Sequence, residues 1–178
     1  TPHAFRLNRR IDLAKELPRI PRVKSSVDFW AFSKGGRSLA ELHLNYETVP
    51  MYAGAKLDTG NKRLTDADYR VEKMKVPKTG GVKDLTRVVY NAQITITGIP
   101  PEAYGYVVNG KPALDWVIER QCVKADKASG IANDANDWAV ETMHNPKYPL
   151  ELFLRVITVS LETLKIVRAL PKLDVLTE

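Results

Sequence analysis

Between residues 73 and 97 the chain gathers side chains that suit binding of a polyanion. Lys73, Lys75, Lys78, Lys83 and Arg87 bracket a glycine-rich turn, Lys75-Val-Pro-Lys-Thr-Gly-Gly-Val-Lys83. Asn91, Gln93, Thr95 and Thr97 follow at alternating positions. Cations pair with phosphates and set register on a duplex. Arg or Lys matches the acceptors of guanine, and Asn or Gln matches the donor and acceptor of adenine. A β-element bearing both kinds could lie in a major groove. The same residues would equally furnish a solvated hairpin face. Lys34 and Arg37 add two cations on a predicted helix nearer the N-terminus.

Catalytic constellations are absent from the sequence. No phosphate-cradling Gly-x-x-x-x-Gly-Lys-Ser/Thr loop occurs, and no Gly-x-Ser-x-Gly elbow. No Cys or His pair has zinc spacing. His3, His43 and His144 are scattered, and His43, beside an apolar helical stripe, reads as structural. Asn145-Pro146-Lys147-Tyr148 echoes the Asn-Pro-Pro-Tyr loop with which amino-methyltransferases grip a flipped base. Its third residue is Lys, and no glycine-rich cofactor segment precedes it, so it reads as a turn into the last helix. No metal or cofactor is expected in this chain.

The 178 residues carry a formal charge of +6. Residues 1–37 hold nine basic side chains against Asp12, Glu16 and Asp28, which accounts for all of it. A basic arm attracts polyanions at long range. It would also pack on an acidic neighbouring domain. The single cysteine, Cys122, cannot close an internal disulfide and suits a reducing, cytoplasmic setting; it reads as a small buried residue at a helix end. No apolar run approaches the ~20 residues of a membrane span. The chain opens on Thr1, which is expected if it is one part of a longer polypeptide.

These groups must be held by a fold that the pattern outlines. Pro2, Pro18 and Pro21 make residues 1–25 an extended connector. A helix follows, capped by Ser26 or Asp28, with an apolar stripe of Phe29, Phe32, Leu39, Leu42 and Tyr46. Gly35-Gly36 inside it implies a kink or a close contact. Residues 50–66 read as loop. Val88 to Thr97 reads as the clearest strand, with period two from Gln93 to Thr97. Tyr106-Val-Val108, an Asn109-Gly110 turn and a helix from Pro112 to about Cys122 come next. Residues 124–149 are polar and broken, with a short helix through Trp138 capped by Asn133 or Asp134. A long helix over 150–169 shows a wide apolar face, and Pro171 stops it. The class is α+β: a small mixed or antiparallel sheet with several helices, one long near the N-terminus and one long at the C-terminus.

Two blocks of sequence carry a resemblance. One is Pro21 to Glu47, around Val27-Asp-Phe-Trp-Ala-Phe-Ser-Lys-Gly-Gly36. The other is Ile94 to Arg120, around Ile99-Pro-Pro-Glu-Ala-Tyr-Gly-Tyr106, Asn109-Gly110 and Trp116, continued by Asn133 to Trp138 and Thr158 to Val167. Together they resemble the C-terminal specificity domain of Type ISP restriction–modification enzymes, and the second block is also similar to Type IIG recognition domains. The resemblance implies the last part of a single polypeptide that also holds nuclease, helicase-like ATPase and methyltransferase parts. Residues 1–25 would connect to the methyltransferase and residues 26–178 would recognise double-stranded DNA. The parent would use S-adenosylmethionine, ATP and Mg2+, while this chain alone would catalyse nothing. It would clamp duplex DNA and help present an adenine for flipping. A module that couples methyltransferase to motor and touches only phosphates is the alternative. Ile99, Pro100, Tyr104, Tyr106 and Gly110 read as scaffold, with both tyrosines packed on the Trp116 helix. The base-reading candidates rest on side-chain chemistry alone.

Overall fold

A computed structural model describes residues 22–175. Most of the expected N-terminal connector therefore lies outside the described residues. The elements run in order: helix α1 (Ser26–Leu44), strand β1 (Lys56–Asp58), strands β2 (Lys78–Thr79), β3 (Val82–Lys83), β4 (Arg87–Val89) and β5 (Thr95–Thr97). Strands β6 (Val107–Val108) and β7 (Lys111–Pro112), helix α2 (Ala113–Arg120), strands β8 (Val123–Ala125) and β9 (Ala132–Asp134) follow. Helices α3 (Ala135–Glu141) and α4 (Tyr148–Ala169) complete the chain. The mixed class expected from sequence is what forms.

Two compact units divide the chain. One takes the described residues before Glu41 and from Ile166 onward; the other is Glu41–Lys165. In the smaller unit Val23 bridges Val175, and the Lys24 amide donates to the Asp174 carbonyl at 3.1 Å. Ser25 caps α1, since its Oγ accepts from the amides of Val27 at 3.2 Å and Asp28 at 3.4 Å. The cap is thus Ser25, one residue before Ser26 and three before Asp28, because an N-cap oxygen must reach the second and third amides of the helix. The helix runs unbroken through Gly35-Gly36. A Cβ on Gly35 would sit 2.6 Å from the Leu170 Cδ2, so the glycine answers a close approach and not a kink. No residue of α1 is buried. Phe29 is 53% exposed, and Tyr46, counted in the expected stripe, lies beyond the helix end. The stripe is therefore only partly covered: Phe32, Leu39 and Leu42 are half-buried, while Phe29 is exposed.

The larger unit holds the core. Strands order β1-β5-β4, all antiparallel, with Leu57 opposite Ile96 and Ile96 opposite Val88. Leu57, on the edge strand, is 38% exposed, while Val88 and Ile96 face inward and are fully buried. Tyr90, Ile94, Ile99, Leu114 and the inner face of α4, led by Phe153 and Ile157, close over them. Burying this much apolar surface is the main force behind the fold. Gly98 has φ of 75°, and a Cβ there would stand 2.6 Å from the Gly54 carbonyl oxygen. Only glycine lets β1 lie against β5 at this point.

The sequence reads Val88 to Thr97 as one strand, but it is two. Asn91 Oδ1 accepts from the amides of Gln93 at 2.9 Å and Ile94 at 2.8 Å, and Tyr90 N–H bonds the Ile94 carbonyl at 3.0 Å. An Asx turn of this kind reverses the chain. Two further corrections apply. Residues 50–66 hold a short edge strand, β1, and residues 123–134 form the β8–β9 hairpin, where sequence gives only loop. Asp134 caps α3 through Asn136 N–H at 2.8 Å, one of the two expected choices, and α3 runs on past Trp138 to Glu141. Helix α2 stops at Arg120, short of the expected Cys122, and Pro112 is its N-cap residue.

Candidate nucleic-acid interface

The β2–β3 hairpin projects two exposed cations of the expected set, Lys78 and Lys83. Gly80 and Gly81 have φ of 59° and 83°, the positive values that a two-residue primed turn needs. Lys78 stands opposite Lys83, and Thr79 opposite Val82. All four are exposed, Val82 to 72%. Like charges directly opposite repel, so this pair favours an anion between or beside the two lysines. The base of the hairpin is fixed. The Asp84 amide donates to the Pro77 carbonyl at 2.9 Å, and the Asp84 carboxylate accepts from the Thr86 hydroxyl at 2.6 Å and the Thr86 amide at 3.0 Å. Those bonds, with nearby Arg87, hold its carboxyl below the ordinary value.

The outer face of the three-stranded sheet continues this surface. Cross-strand pairing puts Lys56, Thr97 and Arg87 in one row, and Asp58, Thr95 and Val89 in the next. Lys75 extends the second row through its bridge to Val89. Period two sends the neighbours Leu57, Ile96 and Val88 to the other side. Arg87 and Lys75 therefore share one face with Thr95 and Thr97. Lys56 joins them, and sequence reading missed it, because it sits in a three-residue edge strand inside an apparent loop.

Lys73, Lys75, Asn91 and Gln93 line one open cleft of about 640 Å³, beside Asp68 and Arg70. Asn91 does not offer its amide to this cleft as expected. Its Nδ2 donates to the carbonyls of Asp68 and Arg70, both at 2.8 Å, while its Oδ1 holds the turn. Both donors and both lone pairs are spent. Gln93 stays exposed on the same turn. Lys34 and Arg37 are exposed on α1, within the smaller unit.

Other expected features have plain structural roles. His43 Nε2 lies 3.1 Å from the Thr163 hydroxyl, and its ring stacks on Tyr106 at 5.6 Å. Tyr104 is buried, and burial, with Asp115 and Asp84 near, pushes its hydroxyl up to about 12. Trp116 Nε1 donates to the Val108 carbonyl at 2.9 Å, which ties α2 to the β6–β7 turn. In the Asn145-Pro-Lys-Tyr148 turn, Tyr148 hydrogen-bonds Glu47, and the Asn145 side chain bonds Glu151 at 3.1 Å. Cys122 is half-buried with its thiol 3.2 Å from the Glu119 carbonyl. Among the described residues no group of His, Cys, Asp and Glu could hold a metal ion, and no helix is long and apolar enough to cross a membrane.

An acidic cavity borders the cleft beside Gln93, sharing Ala67 and Arg70 with it. This cavity, about 420 Å³, is lined by Asp66, Asp137, Glu141 and Arg70. Arg70 is already paired with Asp134 at 2.6 Å and Glu72 at 2.8 Å, so this cavity presents uncompensated carboxylates. A polyanion is drawn to the lysine-bearing sheet and hairpin and repelled here.

Comparison with known proteins places this geometry. A family model, the Type ISP C-terminal specificity domain, matches residues 2–152. A solved structure of a nuclease-deletion mutant of the Type ISP restriction-modification enzyme LlaGI, in complex with a DNA substrate mimic, is 44% identical with a TM-score of 0.77. It is matched over 93% of this chain and 14% of its own. The ATP-dependent Type ISP restriction-modification enzyme LlaBIII, bound to DNA, is likewise 44% identical with a TM-score of 0.77, over 93% of this chain and 10% of its own. The DrdV–DNA complex is 27% identical with a TM-score of 0.68, over 96% of this chain and 17% of its own. No curated protein matches. The chain thus spans a small fraction of each of these relatives, and over nearly all of its own length it belongs to the family of Type ISP C-terminal specificity domains.

Proposed function

We propose that this chain recognises double-stranded DNA by sequence on behalf of a larger restriction–modification polypeptide. The observation that carries the reading is a polar sheet face and hairpin, rich in Lys and Arg, in a domain whose solved relatives hold DNA. The hairpin lysines, Lys78 and Lys83, and the free amide of Gln93 are the base-reading candidates. Lys56, Lys75 and Arg87 hold the duplex against the sheet. Asn91 acts by fixing the turn that presents Gln93.

The chain supplies recognition and no catalysis of its own. S-adenosylmethionine, ATP and Mg2+ belong to other parts of the parent, and the methyltransferase part is the intramolecular partner that closes the other side of the DNA. The basic stretch over residues 1–25 connects to it. A binding selection from random duplexes at about 100 mM salt tests the reading, since phosphate contacts weaken steeply as salt rises. It is run on the 178-residue chain and on the chain joined to a methyltransferase part. An enriched asymmetric motif is the expected result. Salt-sensitive binding without a motif in both cases would overturn base reading and leave a phosphate-binding coupler.

A further inference from the structure

A second cleft lies on the far side of Lys73. It measures about 640 Å³ and is lined by Lys73, Arg120, Lys124 and Asn133 over an apolar floor that includes Ile118 and Val123. Its one lining carboxylate, Glu119, is ion-paired with Lys111. Lys73 lines this cleft and the one beside Gln93, so the two meet at that residue. A route of positive charge therefore leads from Lys75, through Lys73, to Lys124.

The walls of this cleft are fixed in place. The Val123 amide donates to the Glu72 carbonyl at 3.0 Å, and Arg70 Nη2 reaches Asp134 Oδ2 at 2.6 Å. These bonds tie the β8–β9 hairpin to the segment that carries Lys73. Both Lys73 and Lys124 are exposed. Among the described residues Lys73 makes no side-chain bond, while Lys124 makes no direct ion pair but lies near enough to Glu119 and Asp126 to help lower their carboxyls. Lysines are compact point charges on flexible stems. They suit phosphates, and they lack the planar fork that reads two atoms of a base at once.

We propose that this cleft seats the sugar–phosphate backbone of the same duplex, apart from the bases that the β2–β3 hairpin reads. The proposal rests on the DNA-recognition reading above. It assigns the β8–β9 hairpin a part that no motif in the sequence marks.

The test compares the wild-type chain with a Lys73→Gln/Lys124→Gln double variant. Binding is measured on the selected duplex and on a random duplex of equal length, from 50 to 200 mM salt. Two lost phosphate contacts should flatten the slope of log affinity against log salt by about 1.8. The affinity loss should be the same factor on both duplexes. A Lys73→Arg/Lys124→Arg variant restores the charge and should restore the slope, and thermal melting checks that each variant folds. An unchanged slope in the Gln variant overturns the proposal alone, provided the wild type binds. Loss confined to the selected duplex also overturns it, since the lysines would then read bases. A wild type that binds neither duplex overturns the DNA-recognition reading and this proposal together.

Discussion

Asn136 shows how a single polar side chain can hold two segments in register. It is 7% exposed, and its amide makes a two-bond clamp on Val71, accepting from its N–H at 2.8 Å and donating to its carbonyl at 2.9 Å. Replacing it with Ala leaves both backbone groups buried without partners, each at a cost of about 1–3 kcal/mol. Asn136→Ala should therefore lose about 2–6 kcal/mol in urea unfolding. A loss under about 0.5 kcal/mol, the size of an ordinary surface change, would mean that water replaces the clamp. At the candidate DNA surface the proposed function predicts effects on discrimination. Lys78→Ala or Gln93→Ala should relax preference at one base pair by about 1–3 kcal/mol while leaving stability alone. Equal loss on every sequence would instead make those residues phosphate contacts. Asn91→Ala should behave otherwise, weakening the fold, because its four hydrogen bonds are all internal.

At the scale of elements, glycines separate tight joints from free ends. Gly98→Ala meets both a positive φ and the Gly54 carbonyl at 2.6 Å, and should cost about 3 kcal/mol. Gly80→Ala meets the same backbone penalty with open space around it, and should cost about 1 kcal/mol. Equal losses in chemical denaturation would contradict the close approach of β1 to β5. Long helices and the glycine-rich hairpin were legible in sequence, because their signals are local: a 3.6-residue apolar period in α4, and Gly-Gly between two lysines. The turn at Asn91 was not, since alternation continues on either side of it and hides the reversal. The β8–β9 hairpin left no trace either. Its strands are three residues each with no clear apolar alternation, and what holds them is remote, Arg70 to Asp134 and Glu72 to Val123. Short strands of this kind take their stability from neighbours and not from propensity. For the same reason Lys56 of the candidate site, and Lys124 of the neighbouring cleft, were invisible before the fold.

Over the whole molecule, ionisation sets a window of stability. The carboxyls of Asp68, Asp84, Asp126 and Glu119 all titrate below their ordinary values. Lys62 and Thr65 hold Asp68 down, Thr86 holds Asp84, Ser129 and Ala128 hold Asp126, and Lys111 holds Glu119. A folded value below the unfolded one means stability that is present above about pH 4 and is lost as pH falls further. The tyrosines run the opposite way. Burial raises Tyr90 and Tyr104, the latter to about 12, so their contribution is present below about pH 10 and fades as pH climbs through the folded values. Melting temperature against pH should thus show a plateau between these limits with a fall at each end. A melting temperature that keeps rising below pH 4 would contradict the carboxylate assignments.

The β2–β3 hairpin has a consequence for descent. None of its side chains enters the core, and its turn rests on two glycines and an anchor at Asp84. Mutation at Lys78, Thr79, Val82 or Lys83 therefore leaves the folding equilibrium nearly untouched. A lineage can walk from one set of tip residues to another with every intermediate still folded. Under the proposed function, any sequence preference these residues carry can drift while the rest of the chain stays under constraint.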